Sequence, residues 1–347
     1  MKNIKPDDSA IEMRSGDDRK KRSHGSINMH DESASPNKVS IIATVLNEHE
    51  SIRLFLDDLL TQTRRPDEIV IVDAGSTDGT IEQVRSIADA NPIVKLLVEE
   101  GCNVARGRNF AIRRATSAYI AITDAGSRVD RRWLEELMIP FGMDHSVDVV
   151  GGRTEIEAKS SFEQWLGFLN RPFEKIDFEN YLPTARSLGL KKSCWEAVGG
   201  FPEELTMWSE DTVFLQRLKS HNCKVAFTPN AIVYWRPRRN LREFWNQYYE
   251  YGKGDGEAKI FSRLYLKRAG LVLSIIFFFI GFSINLIVSV VCAVILTLAF
   301  IRLVLPLKTP TLPVWKLVPL FLLVLVMEIA QVCGYPLGRF KKKPADR

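Results

Sequence analysis

Cysteine and histidine are scarce, at five of each in 347 residues. The cysteines, Cys102, Cys194, Cys223, Cys292 and Cys333, are odd in number and dispersed. Without a CxxC pair or a histidine at metal-ligand spacing, they exclude a disulfide framework and a spaced zinc module, and read as free thiols in a reducing compartment. The first 37 residues lack any apolar run, so no secretory signal is expected there. Their mixture of acids, bases, Ser, Asn, Gly and Pro predicts disorder. A large charge excess is also lacking. The net charge is only +5, and much of it sits at Arg263, Lys267, Arg268, Lys308, Lys316 and Lys341 to Lys343, beside apolar stretches. That placement suits a lipid surface and argues against nucleic acid as a partner.

Charge disappears altogether from Ala269 to Ile301, and a second apolar stretch runs from Val314 to Tyr335. The mean hydropathy of −0.07 therefore averages a soluble part and a lipid-compatible part. As one helix, 269–305 would be about 55 Å long against a hydrocarbon core of about 30 Å, so two helices turning near Ser283 to Asn285 are expected. Glu328 and Gln331 in the later stretch are costly in lipid, which leaves a spanning helix with a polar face or an interfacial helix.

The soluble part alternates. Val39 to Val45 is a β-branched run, and Ile52, Phe55, Leu56, Leu59 and Leu60 follow at helical spacing until Pro66. A second buried-type strand at Glu68 to Val72 enters the turn Asp73-Ala-Gly-Ser-Thr-Asp-Gly-Thr80. A strand near 94–98, a helix near 103–115 and a strand from Tyr119 to Thr123 come next. This order predicts βαβ units around a mostly parallel sheet, with a less regular, mixed α/β second half. Thr44, Asp73 and Asp124 all fall at carboxyl ends of strands, where open sheets of this kind bind ligands.

Five segments in order carry a family resemblance: VSIIATVLNE, DEIVIVDAGSTDGT, GCNVARGRNFAIRRATSAYIAITDAGS, KKSCWEAVGGFPE and SEDTVFLQRLKSHNCKVAFTPNAIVYW. Together, over about residues 39–236, they resemble the inverting glycosyltransferases of family 2, which have the GT-A fold. The resemblance implies a nucleotide-sugar donor site at Thr44, Glu48 and Asp73, with Asp73 near the base or ribose. It places Arg108, of an Arg-Asn pair at a helix start, near the diphosphate. It makes Asp124 the first residue of the family's DxD motif, Asp211 the general base, Glu210 its neighbour orienting the helix or the acceptor, and Gly199 and Gly200 the loop under donor sugar and acceptor.

The chain departs from the family where Gly126 replaces the last DxD carboxylate and Trp235 stands near the place of a histidine ligand. Asp124 with donor phosphates is expected to hold Mg2+ or Mn2+ weakly; the alternative is positive charge from Arg106, Arg108 or Arg128. Gln247-Tyr-Tyr-Glu-Tyr251 does not reproduce the QxxRW motif of the processive members, so polymer synthesis is not expected.

The expected organisation is a disordered segment at 1–37, a GT-A catalytic domain at 38–240, and an interfacial amphipathic helix with linker at 241–268. A transmembrane hairpin at 269–306, a third transmembrane or interfacial helix at 314–338 and a basic tail at 339–347 follow. The aromatics of 241–251 suit a membrane interface. Basic flanks place the catalytic domain in the cytoplasm, on the inner membrane, facing a lipid-linked or cell-surface glycan acceptor. A polyprenyl phosphate is the alternative acceptor. Two other classes compete: a nucleotidyltransferase, against which Leu46 to Glu50 has no glycine, and a membrane protein with a degenerate site.

Overall fold

The computed structural model describes residues 38–169, 182–205, 208–284, 286–307 and 313–341. The expected N-terminal disorder, the hairpin turn at Asn285, Lys308 and the basic tail beyond Lys341 lie outside them.

Strands β1 (Val39–Val45), β2 (Glu68–Asp73), β3 (Val94–Val98) and β4 (Tyr119–Ile122) pair in parallel in the order β3-β2-β1-β4. The connecting helices are α1 (Ile52–Leu60), α2 (Thr80–Ala90) and α3 (Val104–Arg114). The strand period of two assigns the faces. Val39, Ile41, Ala43 and Val45 pack with Ile52, Phe55, Leu56 and Leu59 of α1, whereas Ile42, Val70 and Val72 pack with Ala105, Ala111 and Ile112 of α3. A strand covered on both faces has no polar side to show, which is why β1 and β2 read as continuous apolar runs.

The sheet then turns mixed. Beyond β4 come β7 (Leu188–Lys191), β6 (Val149–Ile156), β8 (Val225–Trp235) and β5 (Arg128–Val129). β7 runs antiparallel to both β4 and β6, and β8 is parallel to β6. Helices α4 (Trp133–Met143), α5 (Ser161–Gly167), α6 (Lys192–Ala197) and α7 (Glu210–Ser220) join them. β7 and α4 escape the sequence reading. β7 is only four residues long, and α4 is apolar over so much of its surface that it carries little period.

Helix α8 (Leu241–Ala258) runs through all five residues of Gly252-Lys-Gly-Asp-Gly256. Its partner is α11 (Leu317–Arg339). A Cβ at Gly252 or Gly256 would overlap the main chain of Gln331 or Tyr335, and one at Gly334 or Gly338 would overlap that of Tyr249 or Lys253. Glycine in a helix interior costs about 1 kcal/mol against alanine. Two pairs spaced four apart let the backbones touch, and that contact offsets the cost. The aromatics of α8 also face protein: Phe244 is buried, Tyr251 packs edge-on to Tyr248, and Tyr251 packs against Trp208 with centroids 5.4 Å apart.

Helices α9 (Ser262–Ile284) and α10 (Leu286–Leu303) pack side by side. Among the described residues two helices are long and apolar enough to cross a membrane, Leu286–Leu303 and Val314–Arg339, with mean hydropathies of 2.7 and 2.2. Glu328 and Gln331 of α11 are buried against α9: Glu328 Oε2 lies 2.8 Å from Arg268 Nε, and Gln331 accepts from the same guanidinium. Protein, not lipid, surrounds them. At its other end α11 places Leu317, Leu320 and Val324 against Val304, Leu307, Trp165 and Phe168.

Candidate active site

The parallel strands deliver three of the expected residues to one edge. Register sets Thr44 beside Val72 and Val45 beside Asp73, and Asp124 follows β4. Asp73 is fully buried. Its Oδ1 accepts from the amides of Gly75 at 2.8 Å and Ser76 at 2.7 Å, folding the turn back on the strand end, where Gly75 takes a φ of +99°. Among the described residues Oδ2 has no partner. A buried carboxylate oxygen without a donor is costly, and a ligand N–H or O–H would satisfy it.

Arg108 is the centre of the crevice. Its Nη2 donates to Asp124 Oδ1 at 2.8 Å and its Nη1 to Glu210 Oε1 at 2.7 Å, with the guanidinium 5.4 Å from the Phe201 ring. Burial works against its charge, yet Asp124, Glu210 and Asp211 outweigh it and hold its pKa above the ordinary arginine value. Burial also pushes the Glu210 carboxyl up, with Asp211 adding to the effect and Arg108 opposing it. Arg108 lies one turn inside α3, whose N-terminus is capped by Asn103 through the Arg106 amide at 2.8 Å. In this structure the guanidinium is a buried bridge between two carboxylates.

Asn109 braces the glycine loop. It donates to the Phe201 carbonyl at 2.8 Å and accepts from the Phe201 amide and from Trp195 Nε1, each at 2.9 Å. Gly199 and Gly200 adopt φ of +74° and +77°, and a Cβ on Gly200 would come to 2.7 Å from Asn109 Oδ1. Asp211 opens α7 beside Glu210. Among the described residues it forms no ion pair, and its Oδ1 accepts from the Thr212 amide at 2.7 Å. Glu48 follows β1 with its carboxylate over Gly126: a Cβ there would lie 3.3 Å from both Glu48 oxygens.

The other expected cations are engaged elsewhere. Arg106 pairs with Glu99, and Arg128 forks Asp58 at 2.6 and 2.8 Å. Arg186 takes the place in the crevice that sequence reasoning missed. Its guanidinium stacks 4.7 Å from the Trp235 ring centroid, its Nε lies 3.8 Å from Asp124 Oδ2, and that Nε is buried without a hydrogen bond among the described residues. Trp235, near the expected histidine position, is thus a platform for a cation. Arg186 sits in an aperiodic stretch before β7, so only the topology reveals it.

Two features lie apart from this crevice. A hollow of about 460 Å³ lies behind the glycine loop, lined by Asn109, Arg113, Trp195, Gly199, Gly200 and Arg217 among others, but not by Asp73, Asp124 or Asp211. Its cations are already paired, Arg113 with Glu203 and Arg217 with Glu204, each at 3.3 Å. On the opposite edge of the sheet, Cys194, Cys223 and Asp148 have ligand atoms within 4.8 Å of one another, so two of the cysteines read as dispersed are neighbours. Burial pushes the Cys194 thiol up to about 12 and raises Cys223 as well, which makes both poor thiolates.

Comparison with known proteins follows the same map. The family described as Glycosyl transferase family 2 matches residues 40–189, which contain Asp73, Arg108, Asp124 and Arg186. The glycosyltransferase AglE of Haloferax volcanii is 28% identical over 237 residues, covering 66% of this chain and 77% of that protein. An uncharacterized glycosyltransferase of Escherichia coli, YibD, is 31% identical over 166 residues, and that match spans 47% of each protein. Among solved structures, the mannosyltransferase PcManGT from Pyrobaculum calidifontis, in complex with GDP-Man and Mn2+, superposes with a TM-score of 0.63 at 19% identity over 87% of each chain. That likeness bears on the fold alone. Matched region, relatives and fold thus agree: the chain is a glycosyltransferase that carries a Glycosyl transferase family 2 domain at residues 40–189 on a GT-A fold.

Proposed function

We propose that the chain moves a sugar from a UDP- or GDP-sugar to a hydroxyl of a lipid-linked or cell-surface glycan, in one displacement that inverts the anomeric centre. The observation that carries this reading is the Arg108 bridge, which ties the donor-side Asp124 to the acceptor-side helix start at Glu210. Uracil and guanine both carry a ring N–H for the unpartnered Asp73 Oδ2, and Thr44 and Glu48 flank the same strand ends. Glu210 is held by Arg108, which leaves Asp211 as the carboxylate to take the acceptor's proton. As the hydroxyl oxygen bonds to the anomeric carbon, its proton passes to Asp211. The bond from that carbon to the phosphate oxygen breaks with its electron pair, and the nucleoside diphosphate leaves from the opposite face. Arg186, on Trp235, stands where negative charge develops on the leaving group. Gly199 and Gly200, without side chains, let the sugar approach the backbone.

The residues fit a divalent cation of the Mg2+ or Mn2+ type. Asp124 and Glu48 offer hard oxygens, and the Glu48 carboxylate fills the space that a side chain at Gly126 would take. Such a cation would neutralise diphosphate charge when bound. PcManGT was crystallised with Mn2+ and GDP-Man, which accords with this reading.

For the membrane, we read α9 and α10 as a spanning hairpin, because the charge-free run from Ala269 to Ile301 extends through both, and α11, although long and apolar enough to cross, as interfacial. α11 meets the soluble part at both ends, at Trp165 and Phe168 and again along α8, so it lies along the domain. The basic residues of α9, Arg263, Lys267 and Arg268, then mark the cytoplasmic side of the inner membrane.

The test is calorimetric titration of the detergent-purified chain with UDP, GDP and their sugar conjugates, with Mg2+, Mn2+ or chelator. Micromolar binding of one nucleotide, lost in Asp73→Ala, supports the reading. Absence of binding under every condition overturns it in favour of a degenerate site.

A further inference from the structure

We propose that Asp255 of α8 is a positioning residue for glycosyl transfer: it clasps Ser209 in a left-handed conformation, and so aims the start of α7, with Glu210 and Asp211, into the crevice. The inference rests on the reading of that helix start as the acceptor side of the site.

Three observations carry it. Ser209 directly precedes α7 and has φ +97° and ψ 4°, a conformation that residues with a Cβ keep only when their surroundings impose it. A serine at this position ordinarily turns its hydroxyl onto an amide of the first helical turn; this one makes no such bond. Its Oγ donates instead to Asp255 Oδ1 at 2.7 Å, across 46 residues of chain.

The clasp is itself held. Asp255 Oδ2 accepts from Tyr265 Oη at 2.7 Å, so both carboxylate oxygens are in use. Tyr265 stacks on Tyr335 of α11 with centroids 3.9 Å apart, and Arg268 lies 5.0 Å from the Tyr265 ring. Gly254, one residue before Asp255, lies so close to Trp208 that any side chain there would overlap its carbonyl. From Ser209 the next residue is Glu210, then the Arg108 bridge to Asp124. Helices α8, α9 and α11 thereby set the direction of the carboxylate pair.

The test uses the full chain in detergent or native membranes. In Asp255→Ala, amide hydrogen exchange is expected to rise at least tenfold over 208–213 and to stay unchanged in β1, β2 and β4; this reading needs no substrate. Nucleoside diphosphate release from UDP-glucose or GDP-mannose is expected to fall 10- to 100-fold in kcat, with KM and nucleotide Kd within twofold of wild type. Adding Ser209→Gly to Asp255→Ala should restore kcat to within about threefold, because glycine adopts the positive φ unaided. Unchanged exchange at 208–213, exchange raised across the whole sheet, or no rescue by glycine each overturns the proposal. Asp211→Asn, run alongside, keeps the two readings separate: full activity in that variant removes the general-base role, whereas its inactivity beside a fully active Asp255→Ala removes only the clasp.

Discussion

Arg108 and Asp124 meet at 2.8 Å, and the second amino group of the same guanidinium holds Glu210 at 2.7 Å. One buried cation thus joins the end of β4 to the start of α7, 102 residues apart from Arg108 in sequence. Removing it leaves the largely buried Glu210 without its counter-ion and Asp124 with only Arg186, at 3.8 Å. Arg108→Gln is expected to cost about 3 kcal/mol of stability and at least a hundredfold in kcat/KM. Arg108→Lys, a point charge without the fork, should rescue only one of the two contacts. Thermal melting and nucleoside diphosphate release check both.

Asp73 separates binding from turnover. With Oδ1 committed to the Gly75 and Ser76 amides, Asp73→Asn keeps an acceptor for the turn but presents an amide where Oδ2 was. Nucleotide affinity is expected to fall by at least tenfold, about 1.4 kcal/mol or more, with the fold retained. Calorimetry with UDP and GDP reads it.

Asp211→Asn discriminates between acceptors. A hydroxyl acceptor needs its proton removed, and loss of a positioned base costs about 10²–10⁴ in kcat. A polyprenyl phosphate is already an anion and would tolerate the change. A near-complete loss is expected, and turnover close to wild type would reassign the acceptor.

The metal and Arg186 make opposite forecasts under chelation. EDTA is expected to abolish release of nucleoside diphosphate and Mn2+ to restore it, with Glu48→Gln raising the Mn2+ needed for half-maximal rate about tenfold, the loss of one charged oxygen ligand. Activity indifferent to EDTA but lost in Arg186→Ala would assign the charge to the guanidinium stacked on Trp235.

Away from the site, Glu68 governs acid stability. Burial alone would raise its pKa, but bonds from Lys95, Ser40 and Thr116 hold the carboxyl down at about 2 against an ordinary 4.5. A carboxylate depressed in the folded state stabilises above its unfolded pKa, and that contribution drains away as pH falls from about 4.5 to about 2. The upper limit is about 3 kcal/mol at 1.36 kcal/mol per pH unit. Glu68→Gln should flatten the melting temperature over that window.

The first half of the sheet was open to reading because its cause is local. β1, β2, β3 and β4 are short apolar runs, their helices show a 3.6-residue period, and Asp73 and Asp124 mark the strand ends. A ligand-binding edge follows from that order alone. The Glu210-Asp211 pair at a helix start is likewise visible, since both residues are consecutive.

What only the tertiary structure decided is everything that depends on contact between distant segments. Five-residue spacing cannot tell a helix-ending glycine run from a helix-packing one; α8 continues through Gly252 to Gly256 because Gly334 and Gly338, some 80 residues on, bring a second backbone against it. Arg108 bridges Asp124 and Glu210, Arg186 enters the crevice on Trp235, and Cys194 meets Cys223, each a contact between segments far apart in sequence. Side-chain period and turn chemistry are properties of a few neighbouring residues, whereas charge pairing and backbone contact are properties of the folded path, so the sequence by itself determined the class of enzyme and the tertiary structure decided its wiring.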